Sequence, residues 1–171
     1  PPEEVTALME LIELQLRDEL DALHAKGVRV RHIGRLDGLP ASLQKVLMDC
    51  STRTEQNSGL TVTFAVNYSG RAELVDAARR LAAEAVAGTL DPRELDEADF
   101  SRALYAPDIP DPDMLIRTGG DMRISNYLLW QIAYTELYVT PVLWPEFHAL
   151  QLLQAVEEYQ HRQRKFGRIA P

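Results

Sequence analysis

An α/β fold with a parallel sheet flanked by helices on both faces is the class this sequence predicts, on three observations. Short runs rich in branched and aromatic residues alternate with long segments of helical periodicity. No hairpin signal joins two of the strand-like runs. Two of those runs end in glycine-containing loops, 67–71 and 117–120, each followed by a helical pattern. With 171 residues, 46% of them hydrophobic, the chain is expected to form a single domain, 1–171, with a sizeable core.

Composition limits the function. A net charge of −8, from 18 Lys and Arg against 26 Asp and Glu, argues against nucleic acid as a general partner. The single cysteine, Cys50, excludes an internal disulfide, fits a reducing cytoplasm, and reads as a small core hydrophobe rather than a nucleophile. No apolar run reaches the roughly 18 residues of a spanning helix and no signal-peptide pattern is visible, so membrane contact is expected to be at most peripheral.

The first element is a helix over 3–26. Pro1 and Pro2 suit its entry, Glu3 and Glu4 complement its positive end, and Gly27 provides a stop. Its stripe of Val5, Leu8, Ile12, Leu16, Leu20 and Leu23 is widened by Met9, Leu11 and Leu14 beyond a single packing face. Packing against two neighbours and lining an apolar cavity both account for that width, and by itself the pattern favours packing.

Residues 28–33, V-R-V-R-H-I, alternate apolar and basic side chains and predict a strand with His32 on its solvent side. A loop with Asp37-Gly38 as turn signal leads to a helix over 41–56, and 60–66 predicts a second strand. That strand opens into Asn67-Tyr68-Ser69-Gly70-Arg71, a turn before a helix over 72–87. Asn67 and Arg71 read equally as turn and salt-bridge residues or as liners of a ligand edge. A polar, acidic connection over 88–112 carries a short helix near 97–104.

The stretch from Asp113 to Phe147 carries the chemistry. Met114, Leu115 and Ile116 predict a buried strand that delivers Arg117 to its carboxyl end. Gly119 and Gly120 follow, then Asp121, Arg123 and Ser125, before a helical pattern over 127–133. Strand end, glycine loop and helix start would converge on one spot, where two guanidinium groups and a hydroxyl suit a phosphate or diphosphate. The same spacing also fits Arg117 and Arg123 as surface partners of Asp111, Asp113 or Asp121, with Ser125 as a helix cap. A last strand over 136–140, a turn over 141–145 and a terminal helix over 146–165 complete the chain. Trp130, Tyr134 and Trp144 read as core and interface anchors, and the basic tail 162–168 as a complement to a helix end.

The run I-R-T-G-G-D-M-R-I-S-N-Y-L-L-W-Q-I-A-Y-T-E-L-Y at 116–138, with L-W-P-E-F at 143–147, resembles the signature of the cis-prenyltransferase (undecaprenyl diphosphate synthase) family. The likeness extends to E-V-T-A-L-M-E-L at 4–11, G-V-R-V-R-H-I-G at 27–34, N-Y-S-G-R at 67–71 and R-K-F-G at 164–167. It implies an enzyme that condenses isopentenyl diphosphate in cis onto an allylic diphosphate such as farnesyl diphosphate, giving a polyprenyl diphosphate such as undecaprenyl diphosphate. It also implies a magnesium requirement, a homodimer and a cytoplasmic location.

Carried over by position, Arg117, Arg123, Ile124 and Ser125 would bind the isopentenyl diphosphate, and Glu136 the magnesium ion. The first helix would border a prenyl tunnel. Three departures stand out: Asp121 where glutamate is usual, Met122 where some members have histidine, and Ser69 where a second glycine is usual. The family's M-D-G-N-G-R-W and S-S-E-N-W-x-R segments have no counterpart here. The resemblance therefore implies the C-terminal part of a longer protein, with N-terminal strands and catalytic aspartate absent from this chain. Alone, the chain is expected to be inactive, or to serve as a non-catalytic partner that binds only isopentenyl diphosphate.

Overall fold

The computed structural model describes residues 1–162, and the chain divides into two compact units, Pro1–Ser69 and the part from Gly70 onward. Both are α/β, with parallel strand pairs and helices packed on them, as expected. The strands form two separate two-stranded sheets among the described residues.

The first unit contains α1 (Pro2–Ala25), β1 (Arg29–Ile33), α2 (Ala41–Arg53) and β2 (Thr61–Ala65). Proline and two glutamates open α1, and Gly27, at φ 69°, ends it in the left-handed conformation that a side chain would disfavour. Leu16 and Leu20 of α1 meet Leu43, Leu47 and Cys50 of α2 and Val30 of β1 in the core. The wide apolar stripe is only partly used: Val5, Leu8, Leu11 and Leu14 are each at least half exposed. Two polar tethers fasten the helices, Ser42 Oγ donating to Glu13 at 2.6 Å and Arg53 to Asp21 at 2.6 Å.

β1 and β2 run parallel with Val30 opposite Val62 and His32 opposite Phe64. His32 is not on a solvent side. It is half-buried, with Nε2 3.0 Å from the Val66 carbonyl, because the strand end folds under the chain that leaves β2. Cys50 is buried as expected, and burial, followed by the Asp49 charge, pushes its thiol pKa up. Thr54, fully buried, closes α2 onto β1: its hydroxyl accepts from the Val30 N–H at 2.8 Å and lies 2.7 Å from the Cys50 carbonyl.

The second unit contains α3 (Gly70–Val86), α4 (Glu97–Arg102), β3 (Met114–Arg117), β4 (Glu136–Val139), a 3-10 turn at Trp144–Glu146 and α5 (Ala149–Gln160). Ala77 and Leu81 of α3 pack on Ala103, Leu104, Phe100 and Trp130. Trp130 is thus a core anchor, its Nε1 donating to Ser101 at 3.0 Å, whereas Tyr134 and Trp144 stand 71% and 74% exposed. β3 and β4 are parallel, with Leu115 opposite Leu137 and Arg117 opposite Val139. The terminal helix begins at Ala149, three residues later than expected, because Trp144–Glu146 takes the tighter 3-10 turn. Most of the basic tail, from residue 163, lies outside the described residues.

One expected element is missing. No helix forms over 127–133, where the chain makes a succession of turns. Ser125, Asn126 and Leu128 have φ of 49°, 61° and 44°, which a right-handed helix cannot include. The hydrogen bonds are correspondingly local, Tyr127 N–H to Ile124 at 3.1 Å, Ile132 to Leu128 at 3.0 Å and Thr135 to Ile132 at 3.1 Å.

Replacing Thr54 by valine is expected to leave the Val30 N–H without its acceptor and to cost about 1–3 kcal/mol of stability. A urea melt checks this; a change within a few tenths of a kcal/mol of wild type would show that the buried hydroxyl contributes nothing net.

Candidate functional site

β3 ends on Arg117, and the Thr140 N–H bonds to the Arg117 carbonyl at 2.9 Å, so ladder-like pairing continues past the assigned strands. Gly119 and Gly120, at φ 82° and 78°, then turn the chain, their N–H groups bonding to the carbonyls of Val142 at 2.9 Å and Thr140 at 2.9 Å. These conformations belong to glycine, and the turn brings residues 121–124 back beside Arg117. At the other end of this segment Asn126 is fastened to the start of α3. Its carbonyl accepts from the Gly70 N–H at 2.8 Å and its side-chain Oδ1 from the Arg71 N–H at 2.9 Å. A Cβ on Gly70 would lie 2.7 Å from Leu129 Cγ and 3.0 Å from the Asn126 carbonyl, so the close approach requires glycine.

Between these anchors Arg117 and Arg123 reach one cavity of about 490 Å³. Its floor is the face of the β3–β4 pair that carries Leu115, Arg117, Leu137 and Val139, alternate residues in matched register. Met122, Arg123 and Ile124 form one wall, and Glu158 and Arg162 at the end of α5 the other. The result is an apolar floor rimmed by three guanidinium groups.

Those cations are not unopposed. Asp121 Oδ2 accepts from Arg117 at 3.2 Å and from Arg123 at 2.5 Å, the three side chains being 44%, 32% and 67% exposed. At such exposure each pair contributes at most about 1 kcal/mol. Arg117 Nε, by contrast, is buried with no hydrogen-bond partner. A buried N–H donor in that state is costly unless an acceptor arrives. Arg162 donates to Glu136 at 3.0 Å, to the Leu137 carbonyl at 2.8 Å and to Glu158 at 2.5 Å. Glu158 first, and Glu136 second, raise its pKa and hold its charge firmly.

The structure thus brings Arg117, Arg123 and Ile124 together. Ser125, the next residue, is exposed and does not line this cavity, because its left-handed backbone starts the turn toward α3. The cradle at a helix start, expected from the sequence, does not exist at residue 127; the nearby N-terminus is that of α3, and Asn126 already caps it. Glu136 does not line the cavity either, but its partner Arg162 does. Arg162 and Glu158 were not singled out as site residues from the sequence, since only the tertiary return of α5 places them opposite Arg117.

A donor set complete for a metal is not present: among the described residues no three His, Cys, Asp or Glu side chains converge on one point. Glu136 alone offers the hard carboxylate oxygen that magnesium favours, and magnesium commonly takes one or two carboxylates beside phosphate oxygens and water. It therefore suits a shared site and not a protein-only cage.

A smaller cavity of about 350 Å³ is lined by Arg71, Ile124, Asn126 and Leu129. Asn67 belongs to neither cavity; at φ 50° its amide donates to the carbonyls of Arg35 at 2.9 Å and Asp37 at 3.0 Å, which makes it a turn residue. Within the first unit a third cavity of about 460 Å³ presents an almost wholly apolar surface, from Leu11, Ile12, Leu16 and Leu23 of α1 and Phe64, Ala65 and Val66, although Gln15 and Glu19 also border it.

Comparison with known proteins decides the lineage: residues 1–167 match the Prenyltransf family of undecaprenyl diphosphate synthases. The chain belongs to the undecaprenyl diphosphate synthase family. It is 45% identical over 99% of its length to an isoprenyl transferase of Heliobacterium mobile. It is 46% identical over 98% of its length to the ditrans,polycis-undecaprenyl-diphosphate synthase, farnesyl-diphosphate specific, of Xanthomonas axonopodis pv. citri. The chain spans 65% of the length of each of these two relatives. In structure it resembles lavandulyl diphosphate synthase from Lavandula x intermedia, solved with dimethylallyl diphosphate, at a TM-score of 0.95 and 37% identity, covering 98% of this chain and 72% of that one. Membership of the undecaprenyl diphosphate synthase family agrees with the signature at 116–138 and with the α/β architecture.

Asn126→Gly keeps the left-handed backbone but removes the side-chain acceptor of the exposed Arg71 N–H, and is expected to cost about 0.5–1 kcal/mol. Thermal melting checks the loss. An unchanged midpoint would show that this side-chain bond contributes nothing net.

Proposed function

We propose that this chain carries the isopentenyl diphosphate site of a cis-prenyltransferase, which extends an allylic diphosphate by successive cis condensations to a polyprenyl diphosphate of the undecaprenyl type. The observation that carries this reading is the meeting of the Arg117 and Arg123 side chains at one cavity that has an apolar floor. A diphosphate brings acceptors in a spacing that a guanidinium fork meets with paired hydrogen bonds, and lysine cannot reproduce that. The five-carbon tail would lie on Leu115, Leu137 and Val139.

In this reaction the allylic carbon is attacked as its diphosphate departs, so two anions must lie side by side. Arg117 and Arg123 offset that repulsion for one of them and hold its carbon end in place, and such orientation lowers a barrier by several kcal/mol. Ile124 supplies the wall against which the diphosphate settles. Ser125 joins the ligand set if its short turn closes when the anion binds. Magnesium would neutralise diphosphate charge, and Glu136 is the residue to hold it once Arg162 yields its oxygen.

The apolar cavity of the first unit supports a hydrocarbon-holding role for α1. A homodimer is the proposed assembly, supported by the exposed apolar side chains Leu150, Leu152 and Leu153 on α5. Among the described residues no helix is long and apolar enough to cross a membrane. The proposed location is cytoplasmic, with contact with the lipid product at the membrane periphery.

Arg123→Ala is expected to weaken isopentenyl diphosphate binding by about tenfold or more, with Arg117→Lys also weaker, while the melting midpoint moves little. Calorimetric titration gives the answer, and equal affinity in both variants would remove the assignment. Glu136→Gln should abolish the gain in isopentenyl diphosphate affinity that magnesium confers. A gain the same as in wild type would take Glu136 out of the metal's coordination.

A further inference from the structure

We propose that Asp121 is a built-in competitor at this site, occupying the anion position itself and lowering the affinity of every anion that must displace it. The inference rests on the diphosphate reading of the Arg117–Arg123 cavity and adds to it the reason why weakly bound anions do not fill it.

A single oxygen, Oδ2, accepts from both guanidinium groups, at 3.2 Å from Arg117 and 2.5 Å from Arg123. That is the place a phosphoryl oxygen would take between the same two donors. The carboxylate is delivered there by an anchored backbone, since the Gly119 and Gly120 N–H groups are tied to the carbonyls of Val142 and Thr140 immediately before it. Yet it satisfies the donors incompletely, leaving Arg117 Nε buried and unpartnered. Arg162, across the cavity, is neutralised in the same manner by Glu136 and Glu158. The ligand-free site is therefore close to electrically balanced rather than a general sink for anions.

Competition follows from these contacts. A carboxylate or an inorganic phosphate entering the cavity exchanges one small anion for another, gains little in hydrogen bonds, and must be stripped of water. A diphosphate displaces Asp121 with one phosphoryl group and has a second to meet the remaining N–H groups of the two guanidinium forks. Its surplus of charge and acceptors turns an even exchange into a favourable one. The simple alternative is a local ion pair with no bearing on anion binding.

Titrating inorganic phosphate, inorganic diphosphate and isopentenyl diphosphate into the full chain at fixed ionic strength, without magnesium, separates the two. Wild type is expected to bind the diphosphates, and phosphate only weakly. Asp121→Asn should raise the affinity for phosphate and for diphosphate by roughly five- to tenfold, and Asp121→Glu should leave both near wild type. Unchanged affinities in D121N, or a loss of both, overturn the proposal. Asp121→Ser guards against a folding defect, because loss of the melting transition in both neutral variants would assign Asp121 to structure and overturn it equally. If only this proposal fails, Arg123→Ala still weakens isopentenyl diphosphate binding; if wild type binds no diphosphate, the reading of the site fails with it.

Discussion

Two guanidinium groups do not share a small space unless an anion lies between them, and the second unit is arranged around that requirement. Arg117 sits at the end of a strand and Arg123 on irregular chain, six positions later, and their approach would be repulsive without the Asp121 oxygen between them. The backbone cannot relax the arrangement, because it is held on both sides. The glycine pair is bonded to the segment after β4, and Asn126 is bonded to the start of α3. What results is a preorganised anion position with its charge already compensated, a state that tolerates exchange of one anion for another.

The division of polar and apolar surfaces supports the proposed chemistry. In the second unit, cations stand on the rim of a cavity whose floor is leucine and valine. In the first unit, α1 and the end of β2 border a cavity with an almost wholly apolar surface, and the helix exposes more hydrophobic surface than its core contacts use. A diphosphate on a hydrocarbon chain calls for both kinds of surface. Likeness of fold does not name a product, since a lavandulyl diphosphate synthase has this architecture at a TM-score of 0.95.

The buried polar groups show where the second unit spends its rigidity. Glu73, 1% exposed on the first turn of α3, accepts from the Tyr105 N–H at 3.0 Å and from Gln131 at 3.2 Å. A carboxylate so deeply placed is tolerable only with donors around it, and here the donors come from the two irregular stretches that flank the strands. The same helix whose first N–H groups are capped by Asn126 thus also holds Gln131. The turns over 125–134 are consequently fixed to α3 at two points although they form no regular structure of their own.

Periodicity and composition by themselves determined the α/β class, the positions of all four strands and of five helices to within a few residues, and Cys50 in the core. Those are local properties: apolar spacing, branched residues, prolines, glycines and caps act over a few positions. The helical spacing of 127–133 misled, because hydrophobic pattern does not register that Asn126 does better as a left-handed cap on a helix more than 50 residues away. Tertiary structure alone decided that Asp121 bridges the arginines, that Ser125 faces away from their cavity, that His32 reaches the Val66 carbonyl, and that Arg162 returns to close the wall and bind Glu136. Each of these depends on which distant segment arrives beside a side chain, and in a parallel fold such neighbours are set by crossovers that spacing within one element does not encode.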